Sequence, residues 1–171
     1  MEDRMNAPDL AECEMTNRLD ELDVVGAART NACILFTGAR DAKTLALRIH
    51  NASGWRWGTF VTVDCAAPDH LVEQQLFDIL TATDAHREIP EPYARLRQAG
   101  TVLLEDVGNL SPVMQARLAD ALERRPRRRL MASTPESLLD RVRAGSFNAR
   151  LLELLNGIAV MAGADGRTRR A

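Results

Sequence analysis

Five short apolar runs recur along this chain, at Cys33–Thr37, Thr59–Val63, Thr101–Leu104, Leu130–Ser133 and Gly157–Met161, each separated from the next by a stretch patterned for a helix. Short, nearly continuous apolar runs suit strands buried on both faces. Between them, apolar side chains return at helical spacing, at Val72, Leu76, Ile79 and Leu80 and again at Met114, Leu118, Ala121 and Leu122. Ser111-Pro112 reads as a helix start, with serine as N-cap and proline at the first helical position. Further helices are predicted around Lys43–His50, Glu136–Arg143 and Phe147–Leu155, and Leu19, Leu22 and Val25 form a short helical stripe ahead of the first strand. This alternation predicts an α/β fold: a parallel five-stranded sheet with right-handed crossovers and helices on both faces. The domain is expected to span residues 19–162, with a flexible N-terminal segment at 1–18 and a disordered tail at 163–171.

Composition excludes several classes of protein. A chain of 171 residues with 46% hydrophobic content can fill the core of one domain. The net charge of −2 gives no global attraction to nucleic acid. No apolar run approaches membrane-spanning length, and Met1-Glu2-Asp3-Arg4 lacks the form of a signal peptide, so a cytoplasmic location is expected. Cys13, Cys33 and Cys65 lie far apart without a Cys-x-x-Cys pair, as expected of free thiols in a reducing compartment. His50, His70 and His86 show no metal-ligand spacing with them.

In a parallel sheet, ligands sit beyond the carboxyl ends of the strands. Gly38–Thr44, Asp64, Glu105-Asp106 and Thr134 all fall at that edge. Lys43 is the only lysine among 22 lysines and arginines. It follows a strand, Gly38 and a short loop, and with Thr44 it opens a helix, the layout of a phosphate-binding P-loop. The copy is damaged: Ala42 stands where the pattern has its second glycine, and the loop is one residue short. Taken alone, the segment is equally a strand–loop–helix in which Lys43 merely caps a helical turn. A P-loop ATPase also needs acids at the end of a second strand, to hold Mg²⁺ and to polarise the attacking water. Glu105-Asp106 supplies two carboxylates at such a position, and the pairing with Lys43-Thr44 favours a nucleotide fold.

Longer blocks then match one family. Ala32–Gly38 fits its first strand. Ile49-His50, Ser53, Arg56 and Phe60–Ala67 fit an Ile-His…Ser…Arg…Phe-Val-x-Val-Asn-Cys-Ala-Ala stretch. Glu73, Leu76 and Phe77 fit Glu-x-x-Leu-Phe-Gly, with Asp78 for the glycine. Gly100–Pro112 and Gln115–Leu118 fit its second nucleotide motif and following helix, and Ala132-Ser133-Thr134, Gly145, Phe147, Leu151, Leu155 and Asn156 continue the match. From about Asp23 to Val160 the chain resembles the central AAA+ domain of sigma-54-dependent transcriptional activators. The resemblance implies a three-layer, P-loop NTPase-like fold and a ring-forming ATPase that remodels the sigma-54 RNA polymerase closed complex. It assigns nucleotide binding to Gly38, Lys43 and Thr44, catalysis to Glu105 and Asp106, Mg²⁺ to Thr44 and Glu105, and switch or sensor roles to Asp64 and Thr134.

Against that pattern the chain reads as degenerate and truncated. Glu105-Asp106 inverts the family's Asp-Glu order, displacing each carboxylate by about one methylene, and a shift of about 1 Å can cost roughly a hundredfold in rate. Asp64 stands for an asparagine, and Pro135 for the sensor asparagine. The polymerase-contacting Gly-Ala-Phe-Thr-Gly-Ala loop falls at Ala82–Arg87, without glycine or aromatic residue. The trans-acting arginines map onto Asn148 and Leu154, with Arg150 close by but out of register. No lid subdomain, helix-turn-helix or receiver domain is expected within these residues. The segment Glu123–Arg129 replaces a longer hairpin with a run of arginines, which reads as a phosphate- or RNA-binding patch or, preferred here, as a solvated turn beside a helix C-terminus. Trp55 and Trp57 flank Arg56 and read as packing or interface residues.

Two functions follow. One is a catalytically impaired regulatory module that binds ATP and Mg²⁺ weakly or not at all. Its expected partners are related AAA+ activator subunits, sigma-54 RNA polymerase or copies of itself, with no direct DNA binding and no membrane. The other is a working ATPase relying on Lys43, Thr44 and Glu105-Asp106.

Overall fold

The computed structural model describes residues 24–39, 41–81, 99–124, 128–162 and 168–169. Leu19 and Leu22, the Ala82–Arg87 loop and the residues 125–127 lie outside them. The elements run α1 (24–28), β1 (Ile34–Thr37), α2 (Ala42–Ala52), β2 (Thr59–Asp64), α3 (Asp69–Thr81), β3 (Ala99–Glu105), a 3₁₀ turn (Val107–Asn109), α4 (Pro112–Glu123), β4 (Arg129–Thr134), α5 (Leu138–Arg143), α6 (Ala149–Leu155), β5 (Ile158–Ala162) and β6 (Thr168–Arg169). The strand order is β2-β3-β4-β1-β5-β6. The first five strands are parallel. Thr168–Arg169, within the tail expected to be disordered, pairs antiparallel with Met161 and Ala162.

Alternation along each strand builds two cores. Ile34, Phe36, Leu103 and Met131 face α1 and α2, where they pack with Ala42, Ala46 and Ile49. Leu35, Val102, Leu104, Leu130 and Ala132 point the other way, onto Val72 and Leu76 of α3, Met114 and Leu118 of α4, Leu138 of α5, and Leu151 and Leu155 of α6. Every residue of β4 is buried, as befits a strand covered on both faces. Three helix starts are capped, that of α4 as its sequence suggests: Ser111, Ser137 and Asn148 accept from the amides of Met114, Asp140 and Leu151.

Two expectations are corrected. Val25, predicted on the buried stripe, is 48% exposed; Val24, Ala27 and Ala28 form the inner face of α1 instead. The alanines bring this helix close to β1, and the buried face lies one residue out of register with a stripe drawn through Leu19, Leu22 and Val25. The second correction concerns the arginine run, because Arg129 is wholly buried. It begins β4 and donates to the carbonyls of Ala27 and Ala28, at the C-terminal end of α1 where a cation is favoured. Burial pushes its pKa down from the ordinary guanidinium value. Nearby, His50 Nδ1 lies 2.8 Å from Thr101 Oγ1, and burial, aided by the charge of Arg129, pushes its pKa down.

The turn entering β2 sits directly on β3. A Cβ at Gly100 would lie 2.7 Å from the carbonyl oxygen of Trp55 and 2.9 Å from Cα of Gly58, both backbone atoms that cannot swing away. Gly100 also falls where the β2/β3 register shifts, between the Thr59↔Ala99 and Phe60↔Thr101 pairs. Gly100→Ala is therefore expected to destabilise the fold by about 1–3 kcal/mol through overpacking. Urea unfolding will show this as a lowered midpoint with an unchanged slope.

Candidate nucleotide site

The β1/β4 pair sets the geometry of the site. Thr37 is in register with Thr134, and the next amide, that of Gly38, donates to the Thr134 carbonyl at 2.9 Å. The chain must then turn sharply, and Gly38 does so at φ 70°, where glycine carries no steric penalty. Helix α2 opens without a side-chain cap, since Asp41 makes no capping hydrogen bond. The Leu45 amide reaches the Asp41 carbonyl at 3.0 Å, so the amides of Ala42, Lys43 and Thr44 precede the helical ladder. Uncapped amides at a helix N-terminus suit an anion. Lys43 and Thr44 are both exposed there.

Lys43 Nζ lies 3.8 Å from Glu105 Oε1, so the strand-end acid of β3 and the α2 lysine meet across β4, the strand that separates β1 from β3. The lysine side chain is 62% exposed, and such a loose pair adds little stability. Asp64 is the register partner of Glu105, and the Cys65 amide donates to the Glu105 carbonyl at 3.0 Å. The Asp64 carboxylate folds back on its own turn, accepting from the Ala66 amide at 2.9 Å. Asp106 adopts the left-handed region, φ 55° and ψ 49°, and its amide approaches Ser133 Oγ at 3.4 Å. The combined field of these acids reaches the buried Cys65 thiol: burial first, then Asp64, Asp106 and Glu105, pushes it up to about 12.

Thr134 also belongs to this edge, but its hydroxyl is engaged within its own turn. It donates to the Glu136 carbonyl at 3.0 Å and accepts from the Glu136 amide at 3.3 Å. What Thr134 offers the site is its backbone carbonyl, which holds Gly38.

The positions matched to trans-acting arginines have other work. Asn148 caps α6 through the Leu151 amide at 3.1 Å, and its own amide donates to Gln115 Oε1 at 2.8 Å. Gln115 is buried and its Nε2 donates to the Leu110 carbonyl, so it ties α4 to the start of α6, a role no spacing rule reveals. Leu154 packs against the core. Arg150 is held on the surface by Asp120 and Glu123, and the hydrogen bond to Glu123 leads in raising its pKa.

This fold and strand-end constellation define a P-loop NTPase-type α/β domain. A family model described as the sigma-54 interaction domain matches residues 12–161, and the chain belongs to that family. The Pathogenicity locus probable regulatory protein HrpS of Pseudomonas syringae pv. syringae is 37% identical over 128 residues, 66% of this chain and 42% of HrpS. The transcriptional regulatory protein ZraR of Escherichia coli K12 is 30% identical over 165 residues, 85% of this chain and 36% of ZraR. The chain thus matches well under two thirds of the length of either relative. Among solved structures, NtrX from Brucella abortus in complex with ADP superposes with a TM-score of 0.71 at 23% identity, over 84% of this chain and 35% of NtrX. The P-loop NTPase domain of a sigma-54 transport activator from E. coli gives 0.61 at 21% identity, over 86% of this chain and 94% of that one. These two likenesses establish the fold. The chain is accordingly a sigma-54 activator-type transcription-regulator domain. Among the described residues no helix is long and apolar enough to cross a membrane.

The left-handed backbone of Asp106 generates a test of the site's frame. A β-branched side chain is penalised there by about 1–2 kcal/mol, whereas Asn or Gly adopts the region readily. Asp106→Val is expected to lower unfolding stability by that amount, and Asp106→Asn to stay near the parent in the same denaturant titration.

Proposed function

We propose that this domain holds a nucleoside triphosphate weakly by its phosphates, does not turn it over, and regulates transcription by association with related AAA+ subunits or sigma-54 RNA polymerase. The residues present fit the phosphate part of such a ligand. The uncapped amides of Ala42, Lys43 and Thr44 offer donors, and Lys43 offers a charge already close to Glu105. With one glycine and a short loop, fewer backbone donors converge than in an intact P-loop, which supports weak binding. Among the described residues no three His, Cys, Asp or Glu side chains gather as a metal cage. Mg²⁺ would take Thr44 and Glu105 from the protein and its other ligands from phosphate and water, where it would neutralise charge on the phosphates.

One observation carries the loss of turnover: neither position matched to a trans-acting arginine holds one, and the arginine nearby is engaged elsewhere. Asn148 is a helix cap, Leu154 is core packing, and Arg150 is bound by two carboxylates. A trans arginine contributes about 10³–10⁵ in rate at the γ-phosphate. The inverted Glu105-Asp106 pair adds to the loss, because each carboxylate is displaced by about one methylene from its place in the family motif. The convergence of Lys43 and Glu105 also supports the second reading, an ATPase that works without those arginines.

The test is a sigma-54 open-complex assay run with a sensitive phosphate-release readout. The domain alone is expected to form no open complexes and to release no phosphate above background. Mixed with an intact activator domain, it is expected to co-sediment with it and lower its ATPase rate in proportion to the amount added. Phosphate release that vanishes in Lys43→Ala would establish the second reading. An unchanged mixed reaction without co-sedimentation would remove the association with activator subunits.

A further inference from the structure

Among the described residues, the connections at the edge of the sheet opposite the nucleotide site carry the reverse charge. The connections that enter β1, β2, β4 and β5 there, at residues 29–33, 53–58, 124, 128 and 156–157, contain Arg29, Arg56, Arg124 and Arg128 and no acidic residue. Glu123, beside Arg124, is paired with Arg150, which it shares with Asp120. Aromatic surface accompanies this charge. Trp57 is 85% exposed, and the Arg56 guanidinium lies 4.9 Å from its ring centroid, over one face. Trp55 joins Ala28, Arg29, Asn31, Ala52 and Gly54 around an open pocket of about 500 Å³.

The turn that carries the two tryptophans is tied down around Trp55. Ser53 Oγ donates to the His50 carbonyl at 2.8 Å and accepts the Trp55 amide at 3.1 Å, and the Gly58 amide closes the turn on the Trp55 carbonyl at 2.9 Å. Trp55 Nε1 donates to Asn31 Oδ1 at 3.1 Å, which fixes the indole against the segment leading to β1. The other wall, the end of α1 with Arg29, is anchored by buried Arg129 through the Ala27 and Ala28 carbonyls. Gly100 lets the turn seat on β3.

We propose that this edge binds single-stranded nucleic acid, with one base against the open face of Trp57, a neighbouring base in the Trp55 pocket, and phosphates against Arg29 and Arg56. Stacking surfaces set among cations are how unpaired strands are held without regard to sequence. The pocket is open on its outer side, which leaves a base access to the indole of Trp55. An unpaired strand uses both the indoles and the arginines, whereas an acidic peptide would use only the charges. Trp55 and Trp57, expected to be packing or interface residues, and Arg124 and Arg128 of the arginine run, expected in a solvated turn, fall at one edge of the fold. The proposal stands independently of whether ATP is bound or hydrolysed.

The test uses the full chain and fluorescein-labelled oligo-dT and oligo-rU of about 15 nucleotides, a length that covers one such platform. Anisotropy is expected to report binding that weakens steeply between about 50 and 200 mM salt. Trp55 and Trp57 are the only tryptophans, so stacking should also quench the intrinsic emission directly. Trp57→Ala is expected to weaken binding about tenfold and, because the side chain is exposed, to leave thermal unfolding unchanged. Arg56→Gln is expected to reduce the salt slope by about one. Three results would each overturn the proposal: no anisotropy change with either oligonucleotide; binding that neither quenches tryptophan nor responds to Trp57→Ala; or a duplex or polyglutamate that binds and quenches as well as the single strands do.

Discussion

The upper edge of this domain depends on the pairing of β1 with β4. Those two strands occupy the middle of the sheet, and their last rung, with the Gly38 amide on the Thr134 carbonyl, decides where the chain leaves for α2. That rung is a backbone bond continuing the β1/β4 ladder, so it does not draw on the side chains of the loop beyond it. A phosphate-binding loop can therefore lose a residue and a glycine while its helix still starts in the right place. The sheet presents Lys43 to Glu105, while the loop between Gly38 and Ala42 carries one glycine where an intact phosphate-binding loop has two.

The opposite edge rests on a different device. Arg129 is a buried cation whose described partners are helix carbonyls rather than a carboxylate, and among the described residues its Nε finds no partner. Desolvating such a group is costly, and the carbonyls of Ala27 and Ala28 offset part of that cost by lying at the negative end of α1. The arrangement pins α1 to the first residue of β4 and sets the wall against which Trp55 and Arg29 stand. Its charge also favours neutral His50, which then bridges α2 to Thr101 of β3.

Most of the fold was legible in the sequence because two-faced burial leaves a strong mark. Each of the five apolar runs became a strand within two residues of its predicted bounds, and Ser111-Pro112 opened α4 as expected. Elements without such a pattern were not legible. The two residues of β6 carry no periodicity, and the inner face of α1 is made largely of alanines, which mark a face weakly. Arg129 looked like its neighbours in an arginine run, since burial of a charge depends on carbonyls contributed from about a hundred residues away. The site was partly readable. Lys43, Glu105 and Asp64 could be placed at one edge from strand ends alone, but the turn-bound hydroxyl of Thr134, the αL backbone of Asp106 and the capping role of Asn148 are properties of local geometry.

The central claim is that phosphate binding has outlived hydrolysis in this domain. An equilibrium titration of the chain with a fluorescent ATP analogue and Mg²⁺, followed by recovery of the bound nucleotide, addresses it directly. The account predicts weak saturable binding that disappears in Lys43→Ala, with the nucleotide recovered as the intact triphosphate. Binding indifferent to Lys43, or recovery of the diphosphate from the unmodified chain, would contradict it.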